Sequence, residues 1–427
     1  MTDPQVIVNL GTGGSDLNGQ NGSTSSADSN DARFLDWPGD NAGNYVYLPG
    51  VAGNYLDLSD EAALDITDDV DIQVYVALDD YISGSTLALV AKSGVASSTA
   101  NYIFFINSTG DLAYRTGDGS SSYTATSTAA LGTADYDAVW LRVVRERTAG
   151  TVKFYTSDDG STWSQLGSTI TSFYSGAANT NSDELRIGQF KTIWPNAGKF
   201  YRARVYDGVS GSGGTLVLDV DCSVISSGSA TSLTALTGQT VTISRSTSGR
   251  KSVAVVSPVW LFGTDDQIEV ADNALLDFDA TDDFTLVSVF RLWDNFIPFS
   301  RLISKEGVDP RYALSKSSGV DTMQATLDDG VTLVAPTGQS IVEGDLHVLF
   351  MVVDRSAQTV TMFLDKDTSG TQSSISAVGS LVNNNTFEIG AGIANIDMEN
   401  FGTVVYRRTL PESERFALVD YYASKVA

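Results

Sequence analysis

The chain is predicted to be all-β, two tandem antiparallel sandwiches followed by a short C-terminal helix. Three observations predict this. Residues 56–76 (LDLSDEAALDITDDVDIQVYV) return as residues 268–290 (IEVADNALLDFDATDDFTLVSVF), so that Leu56 is answered by Ile268, Leu58 by Val270, Asp60 by Asp272, and Asp68-Asp69 by Asp282-Asp283. A recurrence over so long an interval marks a duplicated domain, not a solenoid unit. Apolar and polar residues alternate at period two in short runs, the pattern of strands with one buried and one wetted face. The 39 glycines, with abundant Ser, Thr, Asn and Asp, supply the tight turns that many short strands require.

Taken in order, residues 1–44 read as an N-terminal arm rich in Gly, Ser, Asn and Asp. Within it Val6–Leu10 can form an edge strand, and Trp37-Pro38 with Tyr45–Leu48 are expected to anchor the arm on the first domain. Residues 45–222 form the first sandwich, with strands at 71–76, 102–106, 140–145, 151–155, 185–188 and 200–206, separated by turns such as Asp118-Gly119 and Asp158-Asp159-Gly160. Arg142, Arg145, Arg202 and Arg204 interleave with apolar neighbours and are expected on the wet face. Residues 223–255 read as a small-residue linker carrying one extra strand, Thr240–Ser244. Residues 256–427 form the second sandwich, with strands near 285–290, 322–327, 347–353, 359–364 and 403–407. Thr409 and Glu412 match a capping box with Pro411 in the first turn, and Phe416, Val419 and Tyr422 give the ensuing helix one apolar face.

Composition narrows the function classes. At 427 residues, with 42% hydrophobic and 18% charged residues, the chain is globular and large enough for two or three domains. A net charge of −26 argues against nucleic acid as a partner, because a basic face is the usual footprint there. Cys222 is the single cysteine, so no intrachain disulfide is available. Apolar runs such as Val348–Val353 have strand length, and membrane insertion is not expected. No basic residue precedes Arg33 and no apolar signal core is seen, so ordinary secretion is not expected either.

Several phrases resemble known domains. The stretch from Tyr55 to Thr67, the hairpin from Phe154 to Gly167 and the closing run from Val404 to Glu414 are similar to the concanavalin A-like, laminin-G-like jelly-roll superfamily. This resemblance implies that both sandwiches are jelly rolls. More narrowly, Val8–Gly14, Gly22–Asp31, Tyr47–Tyr55, Lys199–Gly208 and Ser244–Lys251 resemble laminin-G-like structural proteins of tailed bacteriophages. That implies a non-enzymatic virion protein (a capsid decoration, head fibre or tail component) assembled in the bacterial cytoplasm. Its expected partners are other virion proteins and further copies of itself. The alternative is a lectin-like module that adheres to surface glycans, and a glycoside hydrolase relative stands third.

Hydrolases on this fold set two or three carboxylates on one strand, and retaining hydrolysis needs a pair about 5 Å apart. The nearest match is Asn395-Ile396-Asp397-Met398-Glu399, in which an amide stands at the first carboxylate position. No catalytic residue is therefore expected. His347, the only histidine, heads a buried strand without a nucleophile elbow, and one His with one Cys cannot make a conventional zinc site. Calcium is the metal to consider, though no cofactor is required by the reading. Eleven acids and no base lie between Arg33 and Lys92, and eight acids and no base between Lys251 and Arg291. Asp68, Asp69, Asp282 and Asp283 are its candidate ligands. For sugar stacking, Tyr81, Trp194, Trp293 and Phe296 fall in loop-like segments, whereas Trp140, Trp163 and Trp260 sit in strand patterns and read as packing. The loop aromatics could equally cover a subunit interface.

Overall fold

The computed structural model describes residues 6–7, 19–21, 33–35, 44–93, 96–247, 251–256, 259–262, 266–292, 300–306, 310–318, 322–390 and 398–426. They fall into two compact units, one within residues 37–256 and the other within residues 2–36 together with 257–427. Each is all-β, built of two antiparallel sheets around one core, and together they are tandem jelly-roll sandwiches.

In the first unit one sheet runs Ser122–Thr126, Leu112–Gly117, Ala100–Ile106, Leu87–Ser93, Leu185–Ile187, Tyr55–Leu58, Thr240–Ser244 and Ser232–Thr234. The other runs Ser164–Gln165, Thr151–Ser157, Val139–Glu146, Val70–Leu78, Ala197–Asp207, Tyr45–Pro49 and Val253–Val255, with Thr215–Asp221 also pairing Ala197–Asp207. Alternation explains the core. Val70, Ile72, Val74, Val76 and Leu78 all point between the sheets and are essentially inaccessible, each burial contributing roughly 1.5–3 kcal/mol. The same parity corrects the expectation for Arg145. Leu141 and Val143 face the core, so Arg145 is carried to that side and lies fully buried. There it donates to the carbonyls of Asp68 at 2.7 Å and Gly176 at 2.6 Å. Arg142, Arg202 and Arg204 do lie on the outer face, where Arg142 pairs with buried Asp71 at 2.6 Å and Arg202 with Asp219 at 2.7 Å.

The second unit repeats the plan. One sheet continues through Ile268–Val270, Phe387–Ile389, Arg301–Lys305, Arg311–Lys316 and Thr322–Asp328; the other through Val259–Phe262, Met398–Tyr406, Phe284–Leu292, Leu346–Asp354, Thr359–Leu364 and Thr371–Ser374. Helix Glu412–Val426 follows, its first turn closed by the Pro411 carbonyl accepting from the Glu414 and Arg415 amides. Leu418, Val419 and Tyr422 pack on Val287, Val289 and Phe350 of the outer sheet face. The most buried residue of the helix is Arg415, which no apolar period announces; its guanidinium lies 3.4 Å from the Phe363 ring centroid.

The arm differs from expectation. Its strands complete the second sandwich, not the first: Gly19–Asn21 pairs with Ile268–Val270, Val6–Ile7 pairs with Gly19–Asn21, and Arg33–Leu35 pairs with Val259–Phe262. Conversely, residues 232–255 are more than a linker with one strand, for they complete the first sandwich with three.

The duplication holds at the level of register and side chains. Leu58 pairs with Leu185 as Val270 pairs with Phe387; Tyr206 pairs with Asp71 as Tyr406 pairs with Thr285. Gly188 and Gly390 both sit at positive φ, +88° and +81°, where a Cβ would come within 2.0 Å of Leu48 and 2.3 Å of Phe262. Each unit also buries a lysine among acids. The Lys92 ammonium meets Asp60 at 2.6 Å, Asp65 at 3.1 Å and the carbonyls of Asn181 and Asp183. That of Lys305 meets Asp272 at 2.8 Å, Asp277 at 2.5 Å and the Asn383 carbonyl.

Candidate ligand-binding surface

The strands Leu87–Ser93, Ala100–Ile106 and Leu112–Gly117 send Tyr102, Phe104, Ile106, Leu112 and Tyr114 into the core of the first unit. Their outward residues are therefore the alternate ones, and they form a separate apolar cluster of Ala88, Ala91, Ala100, Ile103, Phe105 and Ala113. Small alanines keep this outer face low. Over it fold Phe190 and Trp194, which come from the connection after Leu185–Ile187.

That connection is a tight hairpin. The amide of Phe190 donates to the Ile193 carbonyl at 3.2 Å, and the amide of Ile193 donates back at 2.9 Å. Lys191 and Trp194 hold positive φ of 52° and 57°, a region L-residues with side chains rarely occupy, so the turn carries local strain of a kind that gathers at binding sites. Sheet and hairpin are tied by the Ala88 amide donating to the Trp194 carbonyl at 3.2 Å. Arg186 and Gln189 both donate to the Lys191 carbonyl.

The half-buried Trp194 ring lies 5.3 Å from Phe105 and 4.9 Å from Phe190. Arg115 sets its guanidinium over both Phe105 (5.3 Å) and Trp194 (5.4 Å), and it is steadied by donation to the Thr124 hydroxyl at 2.9 Å. Beside this group opens a cleft of 290 Å³ lined by Ala91, Ser93, Asp183, Glu184, Arg186, Gln189, Phe190, Lys191 and Thr192. Burial lowers both Arg115 and Lys191 from their ordinary values, which marks cations only partly hydrated. The surface thus sets an aromatic platform beside a cleft, with Phe190 common to both and Arg186, Lys191, Asp183, Glu184 and Gln189 lining the cleft.

The other sequence candidates fare differently. Tyr81 is a core residue: its hydroxyl donates to the Asp137 carbonyl at 2.9 Å, and burial raises its pKa. A short, turn-like stretch can still aim a large ring inward, which is why its loop position misled. Trp293 and Phe296 lie outside the described residues, as do Asn395 and Asp397. Glu399 is buried on its strand and ion-paired with Arg291 at 2.6 Å. The four aspartates considered for calcium are each engaged by an arginine. Asp69 accepts the Arg147 amide at 2.7 Å and Asp283 the Arg355 amide at 2.7 Å, equivalent bonds in the two units. Asp68 pairs with the Arg147 side chain, and Asp282 with Arg407 at 2.9 Å. Among the described residues no group of three or more His, Cys, Asp and Glu could hold a metal ion. His347 is buried, its Nδ1 2.9 Å from Asp365. Burial of Cys222 pushes its thiol up to about 12, so it is inert. Phe105, Phe190 and Arg115 were missed in the sequence because each looks like an ordinary strand or turn residue; only parity relative to Phe104 and Tyr114 distinguishes Phe105 and Arg115.

No family model and no curated protein matches the chain. Among solved structures, mouse laminin α1 chain domains LG4-5 align over 89% of this chain and 94% of that one, at 11% identity and a TM-score of 0.32. The binding domain of Paraclostridial Mosquitocidal Protein 1 aligns over 39% of this chain and 44% of that one, at 14% identity and a TM-score of 0.33. The CBM40 of Ruminococcus gnavus IT-sialidase aligns over 39% of this chain and 91% of that one, at 14% identity and a TM-score of 0.30. The two-sandwich fold rests on the sheet topology itself.

Proposed function

We propose that the protein is a non-enzymatic binding module whose first sandwich holds a saccharide on the face around Trp194. The observation that carries this reading is the hairpin-held Trp194 ring, packed with Phe105, Phe190 and Arg115, next to a cleft that Phe190 also lines. A pyranose presents C–H groups on one side and hydroxyls around its edge. An aromatic plane receives the first, and Lys191, Gln189, Asp183 and Ser93 are of the right chemistry for the second. The non-enzymatic part is supported by the engagement of Glu399 with Arg291 and of both His347 ring nitrogens, Nδ1 with Asp365 and Nε2 with the Val342 backbone. No metal is needed for this mode of binding. The sequence resemblance to phage structural proteins supports placing the module on a tailed-phage particle, beside other virion proteins.

The test is retention on a glycan array by the full chain, with Trp194→Ala, Trp194→Phe and Arg115→Gln. Trp194→Ala should reduce retention at least about tenfold, which corresponds to about 1.4 kcal/mol, and Trp194→Phe should keep part of it. Retention that is unchanged in a Trp194→Ala protein of native circular dichroism would remove saccharide from this face.

A further inference from the structure

The three-strand segment that precedes each jelly roll in sequence belongs to the other jelly roll in space. The strands Val6–Ile7, Gly19–Asn21 and Arg33–Leu35 precede the first sandwich yet complete the second; Ser232–Thr234, Thr240–Ser244 and Val253–Val255 precede the second yet complete the first. The correspondence holds residue by residue. Val255, Ala254 and Val253 pair with Tyr45, Val46 and Tyr47; Leu35, Phe34 and Arg33 pair with Val259, Trp260 and Leu261, the duplicates of those positions. Thr242 and Ile243 pair with Asp57 and Leu56, as Gln20 and Asn21 pair with Glu269 and Ile268. The outermost strands agree too: Ser232 with Thr242 and Leu233 with Val241, against Val6 with Gln20 and Ile7 with Gly19.

Each sandwich is therefore a jelly roll plus a three-strand segment; the first sandwich takes the segment that follows it directly in the chain, and only the second takes one from across the other unit. In the first sandwich the completing strands follow its own last long strands along the chain. In the second, the residues after Met398–Tyr406 form the helix Glu412–Val426, and the donated strands arrive from the opposite side of the sequence. Pairing with the second sandwich is specified by the acceptor edges, Ile268–Val270 and Val259–Phe262, and not by adjacency in the chain. Those edges are identical in every copy of the protein. A segment of 2, 3 and 3 paired residues makes the same backbone bonds whichever copy offers the edge, so exchange between copies loses none of them.

We infer that residues 6–35 are an exchangeable strand donor, docking on the second sandwich of another copy of this chain as well as on its own. Two copies that trade segments form a closed dimer. Copies that pass them onward in one direction form an open chain. The balance is one of concentration: the tether to the first sandwich favours self-docking in dilute solution, and crowding of copies favours exchange.

The register supplies the probe. Gln20 and Glu269 are direct ladder partners, and antiparallel partners lie about 4.5–5.5 Å apart between Cα atoms, within disulfide reach. One full-length protein carries Gln20→Cys, another Glu269→Cys, and a third both; native Cys222 is buried and does not compete. The two single variants are mixed at rising concentration, oxidised, and resolved by non-reducing electrophoresis. Exchange predicts a disulfide-linked heterodimer that grows with concentration in the mixture, and linked multimers from the double variant. If the double variant links only within one chain while the mixture stays monomeric, the segment docks solely in cis and the inference falls. If neither links, the segment does not occupy this edge and the inference falls as well.

Discussion

Replacing Lys92 with Met isolates the energetic role of the buried ammonium. Methionine nearly matches the lysine stem in volume, so packing is kept and the charge is removed. In the native protein the Lys92 side chain has 0% exposure, while its partners Asp60 and Asp65 retain 35% and 23%. Breaking a buried ion pair typically costs about 3–5 kcal/mol, because the abandoned charges stay desolvated. Here the carboxylates can draw in water, so the lower end applies, about 3 kcal/mol. With a urea m-value of about 2 kcal/mol per molar, the first sandwich's unfolding midpoint should drop by roughly 1.5 M. The assay is urea titration of the full chain followed by tryptophan fluorescence and by circular dichroism, so that two transitions can be separated. Further exchange of Asp60 and Asp65 to Asn in the Lys92→Met background should restore more than about 1 kcal/mol, since it removes the stranded charges. A loss below about 1 kcal/mol for Lys92→Met, or no recovery on neutralising the aspartates, would refute the reasoning.

Two other perturbations read different parts of the fold. Burial alone would lower the pKa of His347, but the Asp365 hydrogen bond and charge, with the Val342 carbonyl, raise it above 6.5 in the folded state. The His347 contribution is then complete below the unfolded value and is lost as pH rises through the folded one. Urea stability of the second sandwich should fall between roughly pH 6 and 8, and His347→Gln should flatten that slope; an equal slope in both proteins counts against the assignment. Gly188→Ala should cost about 2–4 kcal/mol, combining the left-handed penalty with displacement of Leu48. Gly390→Ala should weaken the second sandwich comparably, as separate thermal transitions would register, and two unshifted transitions would contradict the geometry.

Much of the architecture is legible in the sequence because it rests on period and duplication. Val70–Leu78 alternates cleanly, and Asp68-Asp69 recurs as Asp282-Asp283 with one structural task, holding the amide of Arg147 or Arg355. Three things escape. Strands of three residues, such as Gly19–Asn21 and Arg33–Leu35, carry no period, and their partners in the second sandwich lie far along the chain. Charge alone does not place a side chain: Arg145 and Arg415 are buried against carbonyls and a ring respectively. Acid-rich stretches do not name their cation, and here Lys92 and Lys305 lie at the centre of two such clusters. For the binding surface, Trp194 stands out as a loop aromatic, but Phe105 and Arg115 join it only once the sheet is assembled.

The donation of N-terminal strands to the second sandwich also sets a timetable for biosynthesis. Residues 6–35 leave the ribosome well before the edges that receive them, which begin at Val259. At about 5–20 residues per second, they wait on the order of 10–50 s with unpaired backbone while the first sandwich is made. The first sandwich has no such delay, since the strands that follow it in the chain close it as residue 255 emerges. Through that interval neighbouring nascent chains on one message present their unpaired segments close together. Where a polysome puts a finished second sandwich beside a waiting segment, the choice between self-closure and exchange is made before release.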